Sequence, residues 1–449
     1  MVQYLSIKKY YRKHESMKRK SFLFKILPTL LSISIFCPAV GCGHTTTTAQ
    51  KAISDTEATS EESTSTESET ELSEAGASSE NSIATEYESE SESSIATECE
   101  SDSESTPETV TIMMTGDILL HTPIEEVSLC DDGTYDFTPI FENTKDIISS
   151  ADLALVNQEV IIGGEELGIS GYPNFNAPYE IADALCDAGF NVICHATNHA
   201  LDKGFSGIEN TLLNWRDKYP SVITLGIYDN EEDYNTVTIT EINGIKIALL
   251  NYTYGTNGIE LPSDKPYCVA LLEEEKVISD LDYAQSAADF TIVCPHWGTE
   301  YELSHTSEQE YWRDIFISHG ADLIIGTHPH VIEDIENIEK DGQTIPVYYS
   351  LGNFVNWTSG TGDGVANRMV GGIAKVEIQK DSAGLTTVND NDIIPVVCHV
   401  ESNPGGVTVY PLDSYTEELA SKNEIIKQDP SFSLTYCQTL VDDIWGEGK

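Results

Sequence analysis

Five short apolar runs each give way to polar groups with metal-binding chemistry, and this repetition constrains the fold more than any other feature. The runs are Thr109–Met114 into Thr115-Gly116-Asp117, Ala151–Val156 into Asn157-Gln158-Glu159, Asn191–Cys194 into Asn198-His199, Phe290–Cys294 into His296, and Ala321–Ile325 into Gly326-Thr327-His328-Pro329-His330. Val-, Ile- and Leu-rich runs of about four to eight residues read as buried strands. Between them the period changes. Residues 177–188 carry Ile181, Ala184, Leu185 and Ala188 at helical spacing, and residues 206–215 carry Ile208, Leu212 and Trp215. Residues 307–319 open on Ser307 and Glu310, a capping-box pattern, before Trp312, Ile315 and Phe316. Gly189, Pro220 and Gly320 stop these helices. Such alternation predicts a layered α/β domain. Further strands are expected at 245–252, 345–350, 372–379 and 393–399, the last two as more sheet on the same domain. Ligands of α/β sheets collect at the carboxyl ends of the strands. Five polar endings therefore predict one active site built from loops over a sheet.

Three regions follow from composition. Residues 1–42 read as a secretory signal: Lys8, Lys9, Arg12, Lys13, Lys18, Arg19 and Lys20 precede the apolar stretch Phe22–Val40 and then Gly41-Cys42. A Cys directly after such a segment resembles the bacterial lipobox, so Cys42 is the expected lipidation site. The protein would then sit on the outer face of the cell membrane, held by its acyl chains. Residues 43–108 are Ser, Thr and Glu with almost no aliphatic content, and include the repeat SIATEYESESES/SIATECESDSES. They cannot bury enough apolar surface to fold and read as a self-repelling spacer. Residues 109–449 form the folded domain, with a core at about 110–400.

The formal charge of the chain is −51. Setting aside the 18 acids and one base of 51–109 and the one acid and eight bases of 1–50 leaves 56 acids and 15 bases in 110–449, about −41. That excess argues against nucleic acid and anionic membrane surfaces as partners. Eight cysteines lie beyond the signal region, and an even number in an exported chain permits disulfides. Cys194 and Cys294 fall inside apolar strands and Cys186 on an apolar helix face, which fits free, packed thiols better. The chain contains no Cys-x-x-Cys, no Gly-x-Ser-x-Gly and no His-Glu-x-x-His, which argues against a zinc knuckle, a serine hydrolase elbow and a zincin helix.

The candidate constellation is Asp117, Glu159, Asn198, His199, His296, His328 and His330. Carboxylate, amide oxygen and imidazole without thiolate suit Mn, Fe or Zn, as one ion or two. A pair of ions needs a bridging carboxylate and several terminal imidazoles. His199 is the candidate proton donor, with Asp202 three residues on to orient it. Glu300 is expected to support His296. His195, His305 and His319 are read as structural or surface groups.

Six motifs occur in order: Gly116-Asp117, Asn157-x-Glu159, Asn198-His199-x-x-Asp202-x-Gly204, His296-Trp297-Gly298-x-Glu300, Gly326-x-His328-Pro329-His330 and Ser350-Leu351-Gly352-Asn353-Phe354. Together they resemble the CapA family of poly-γ-glutamate capsule-synthesis proteins, a branch similar to the calcineurin-like metallophosphoesterases. The resemblance implies a four-layer α/β/β/α sandwich with a dinuclear site. It also implies metal ligation by Asp117, Glu159, Asn198, His296, His328 and His330, with His199 as general acid. The chain departs from the wider phosphoesterase pattern twice. Leu119 stands where Asp-x-His would place a histidine, the nearest being His121, and Glu159 stands where an Asp usually bridges.

Two functions follow as expectations. One is a surface-tethered, metal-dependent hydrolase of capsule or cell-envelope polymer, acting on a phosphoester or on amide-linked polyglutamate. The other is a non-catalytic subunit that binds an anionic polymer and passes it to or from a membrane capsule synthase.

Overall fold

Alternating side chains of single strands face two different cores, and this fixes the layering. In the computed structural model, which describes residues 108–403 and 405–446, β1 (Glu108–Ile118) sends Val110, Ile112 and Met114 to one side and Met113 and Ile118 to the other. The same split recurs in β2 (Leu153–Asn157), where Leu153 and Leu155 oppose Ala154 and Val156. Strand side chains point alternately to opposite faces, so a strand buried on both sides must be apolar throughout.

The first sheet continues through β3 (Val192–Cys194) and β4 (Ile223–Leu225), all parallel to β1 and β2. The second sheet holds β5 (Thr238–Ile242), β6 (Ile245–Thr253), β7 (Phe290–His296), β8 (Leu323–Ile325), β9 (Ile335–Lys340) and β10 (Gln343–Tyr348), in the order β5-β6-β7-β8-β10-β9. Its four central strands run parallel. The chain then returns to the first sheet as β11 (Asn353–Val355), β12 (Val370–Lys380), β13 (Thr386–Glu401) and β14 (Gly406–Pro411), giving β14-β13-β12-β1-β2-β3-β4, with β11 paired to β1.

Ile112, Leu155, Val192, Ile247, Ile292 and Ile325 pack between the sheets. Helix Glu180–Ala188 covers the outer face of the first sheet through Ile181, Ala184 and Leu185. Helices Glu274–Ala287 and Ser307–Ser318 cover the second through Val277, Leu281, Trp312 and Phe316. The molecule is thus an α/β protein layered helix, sheet, sheet, helix, the four-layer class expected from the sequence. At about 25 cal/mol per Å² of apolar surface, each fully buried Ile or Leu contributes roughly 1.5–3 kcal/mol.

Three local expectations shift. The capping box on Ser307–Ser318 is built from Thr306 and Gln309, one residue before the expected pair. The helix predicted from 177 begins at Glu180, because the Ala177 N–H donates to Ile161 O and ties that residue to a loop. A helix at Leu434–Trp445 was not anticipated, and its Trp445 Nε1 donates to Glu333 O. The seven cysteines among the described residues are free thiols. Among the described residues no helix is long and apolar enough to cross a membrane. The signal segment, Cys42, Cys99 and the repeat lie outside the described residues.

Candidate metal centre

The carboxyl ends of β1, β2 and β3 in one sheet and of β7 and β8 in the other carry all the candidate ligands. Two glycines let the strands approach. A Cβ on Gly116 would lie 1.9 Å from Gly352 O, and one on Gly326 would lie 2.1 Å from Tyr349 O. Only glycine fits such contacts. The first contact sets Asp117 beside Asn353, its register partner, with the Asp117 N–H donating to Gly352 O at 3.0 Å. Beyond β8, His328 and His330 have φ of +103° and +60°. Left-handed backbone costs a non-glycine residue on the order of 1 kcal/mol or more, and it clusters at functional sites. The loop is held by Thr327, whose carbonyl accepts from Trp297 N at 3.0 Å, and by Pro329, whose carbonyl accepts from Tyr301 N at 2.8 Å.

Glu159 is the hub. It is buried, and its Oε1 lies 3.6 Å from His330 Nε2, 3.8 Å from His296 Nε2 and 4.0 Å from His199 Nε2. Glu159, His328 and His330 offer ligand atoms that all lie within 4.8 Å of one another. His330 Nδ1 is 3.1 Å from both Asp117 Oδ2 and Asn353 Oδ1. Asn157 Nδ2 donates to Asp117 Oδ1 at 2.8 Å. His296 Nε2 is 2.9 Å from Asn198 Oδ1.

Both oxygens of Glu159, His328 Nδ1 and Asn157 Oδ1 are buried without a hydrogen-bond partner. Buried polar groups are nearly always paired, and each orphan costs about 1–3 kcal/mol. Burial drives the Glu159 carboxyl well above the usual carboxylate range, with Asp117, Glu300 and Asp202 adding to the rise and His330 opposing it. Burial pulls His330 down, but the Glu159 charge and the Asp117 hydrogen bond lift it to about 9. Burial and neighbouring imidazoles push His296 and His328 well below the ordinary histidine value. Low-pKa imidazoles beside unpaired carboxylate oxygens are what a cation requires, and a dication makes the extra protons of this cluster unnecessary. The residues present fit a divalent metal.

Beside the hub, His199 Nδ1 lies 2.7 Å from Asp202 Oδ2, an oxygen that also accepts from Phe175 N at 2.7 Å. The Phe175 ring meets the imidazole edge-on at 4.7 Å. The imidazole is thus held with Nε2 toward Glu159. The centre opens into a cleft of about 560 Å³ lined by, among others, His121, Tyr172, Phe175, His199, Tyr301 and Arg368.

Asp117, Glu159, Asn198, His199, Asp202, His296, His328 and His330 therefore converge. Among the described residues, no hydrogen bond joins Glu300 to His296. Glu300 stands on the cleft wall beside Tyr301, while His296 Nδ1 is 3.0 Å from Thr327 Oγ1 and 3.4 Å from Asn157 Nδ2. His195 accepts from Trp215 Nε1 at 2.9 Å, and His319 pairs with Asp282 at the surface, away from the centre. Sequence reasoning missed Asn157, Thr327 and Asn353 as members, although all three lie inside the motifs. It also missed Arg368, which no motif contains. His121, noted only as the nearest histidine, is buried in the cleft wall with its pKa lowered to about 3, by burial first and then by the charges of His330, His199 and Arg368.

The family described as bacterial capsule synthesis protein PGA_cap matches residues 111–358, more than half of the chain and a span that contains all the candidate ligands. The chain belongs to that family. The capsule biosynthesis protein CapA of Bacillus anthracis is 26% identical over 262 residues, 56% of this chain and 61% of that protein. The PGA biosynthesis protein CapA of Bacillus subtilis (strain 168) is 32% identical over 192 residues, 40% of this chain and 47% of that protein. This family member thus matches about half the length of those relatives. A solved NAD nucleotidase of Haemophilus influenzae is similar at a TM-score of 0.38 and 12% identity, over 71% of this chain and 63% of that one.

Proposed function

We propose that this capsule synthesis family member is a metal-dependent hydrolase acting on amide-linked polyglutamate or on a phosphoester of capsule assembly. The observation that carries the reading is the buried Glu159 carboxylate, without a hydrogen-bond partner and ringed by His296, His328 and His330, with the His199–Asp202 pair directly beside it. Mn, Fe or Zn, as one ion or two, suits these nitrogen and oxygen donors. Such an ion, when bound, activates water near neutral pH and stabilises developing charge on the substrate.

The protein's own groups do the rest. Asp117 and Asn353 fix the His330 ring through Nδ1 and leave Nε2 toward Glu159. His296 is held at both ring nitrogens, Nδ1 by Thr327 Oγ1 at 3.0 Å and Nε2 by Asn198 Oδ1 at 2.9 Å. Asp202 accepts from His199 Nδ1, so the exchangeable proton of the imidazolium sits on Nε2, facing the reacting centre. His199 delivers that proton to the leaving group. Phe175 meets His199 edge-on, and Tyr254 lies tilted against His328 with ring centroids 4.6 Å apart.

The chain works at the outer face of the cell membrane, tethered through Cys42 with residues 43–108 as spacer. Cys42→Ser is expected to release it into the medium, and retention in the membrane would refute the anchor. The catalytic reading is tested by screening the full chain, supplied with Mn, Fe or Zn, against phosphomonoesters, phosphodiesters and γ-linked polyglutamate. Turnover lost in His199→Ala with metal content unchanged supports it. Binding of polyglutamate without turnover on any of these would replace it with a non-catalytic subunit serving a membrane synthase.

A further inference from the structure

Three arginines lie among the described residues, and two are spent on carboxylates. Arg216 pairs with Asp229 and Asp233, and Arg313 with Asp314 and Glu336. Arg368 has no carboxylate within ion-pair distance among the described residues, in a region carrying 56 acids against 15 bases. Its Nε is buried without a hydrogen-bond partner. Its Nη1 reaches only Thr358 Oγ1, at 3.5 Å. Instead, the guanidinium lies over the Tyr301 ring, 3.6 Å from its centroid.

That placement is built. Arg368 is carried on the 3₁₀ turn Val365–Met369, and its backbone oxygen accepts from Asn353 Nδ2 at 3.1 Å. The same Asn353 holds His330 Nδ1 through Oδ1. Tyr301 has φ of +68° and donates its N–H to Pro329 O, between the two loop histidines. Guanidinium and ring are therefore mounted on the frame that carries the metal-type cluster, and both face the same cleft.

We propose that Arg368, braced by Tyr301, binds an oxyanion of the substrate, a carboxylate or a phosphate, and sets the bond to be broken against Glu159 and His199. A guanidinium stacked on one face keeps its planar edge free for bidentate hydrogen bonds to two oxygens, which a lysine ammonium cannot reproduce. In a field this negative, a guanidinium with no ion-pair partner among the described residues also gives an anionic substrate attraction from the protein itself. The inference rests on the cleft being the substrate site, though not on turnover.

The test is equilibrium binding to the full chain of two probes, inorganic phosphate and γ-linked triglutamate, with bound metal measured in parallel. Arg368→Gln is expected to weaken at least one probe tenfold or more, Arg368→Lys to recover little of the loss, and Tyr301→Leu to give an intermediate loss. Metal content is expected to stay at the wild-type level in all three. A loss confined to triglutamate identifies a carboxylate of the polymer, and one confined to phosphate identifies a phosphoester. Wild-type protein that binds neither probe, Arg368→Gln protein that binds as wild type does, or loss of metal together with the probe would each overturn the proposal. Arg368-dependent binding in a chain without turnover would leave it standing and end the hydrolase reading.

Discussion

Two histidine–aspartate pairs here share one separation, 2.7 Å, and differ in everything around it: His199–Asp202 and His305–Asp334. The side chains of the first pair are 7% and 1% exposed, those of the second 18% and 35%. Each has a metal-type cluster close by, Glu159/His328/His330 for the first and His305/Asp334/Glu336 for the second. In the second, every member already has a partner. His305 stacks on Tyr349 at 3.9 Å, and Glu336 accepts from Arg313 Nη1 at 2.9 Å and from Tyr349 Oη at 2.8 Å. In the first, neither oxygen of the central carboxylate has a hydrogen-bond partner. Ligand count and spacing alone would rank the two alike. Unpaired, buried lone pairs separate a site waiting for a cation from an ion-pair network that supplies its own.

The largest effect expected from this contrast is on turnover. Asp202→Asn removes the charge that holds His199 Nδ1, and the account predicts a loss on the order of 10²- to 10⁴-fold with metal retained. Asp334→Asn, at an equal distance in the other pair, should leave turnover within about twofold. Steady-state kinetics on both variants checks the pair, and equal losses would erase the distinction.

A smaller effect is expected in stability against pH, at the residue joining the two regions. Glu333 is fully buried, three positions after His330 and next to Asp334, and it accepts from Gln309 Nε2 at 2.6 Å. Burial raises its carboxyl to about 8, against the Gln309 hydrogen bond and helped by Asp334 and Glu302. Because the folded value lies above the unfolded value of about 4.3, folding takes up a proton. The stabilisation is full below that unfolded value and fades as pH climbs to about 8. Glu333→Gln should melt close to wild type near pH 4.5 and higher than wild type at pH 8, by on the order of a few degrees. Parallel melting curves across this range would exclude a neutral buried carboxyl.

The smallest effect belongs to the partly exposed network. His305→Ala should cost about 1 kcal/mol or less, after screening, and change neither bound metal nor turnover. Chemical denaturation with metal analysis measures it. A loss of metal would show that this cluster holds an ion after all.

Much of the frame was legible because β1, β2, β3, β7 and β8 are apolar on both faces and end in polar groups, a pattern that depends only on local order. The ligand endings were legible for the same reason. What escaped depends on register between distant segments. Asn353 meets Asp117 only because β11 pairs with β1 across more than two hundred residues, and Arg368 arrives on a short 3₁₀ turn after a glycine-rich loop. Glu300 follows a left-handed Gly298 and lines the cleft, where its charge bears on Glu159 and His330. Surface strands such as β9, with Ile335 and Ile338 only half-buried, carried too weak an alternation to be found.

The central claim is that the Glu159 cluster holds a divalent metal and the Glu336 cluster does not. Elemental analysis of the full chain, purified with Mn, Fe or Zn supplementation, tests it on wild type, His330→Ala and Glu336→Ala. The account predicts one or two equivalents in wild type, a loss of most of it in His330→Ala and no change in Glu336→Ala. Wild-type protein without metal under every supplementation, or metal that survives His330→Ala and leaves with Glu336→Ala, would contradict it.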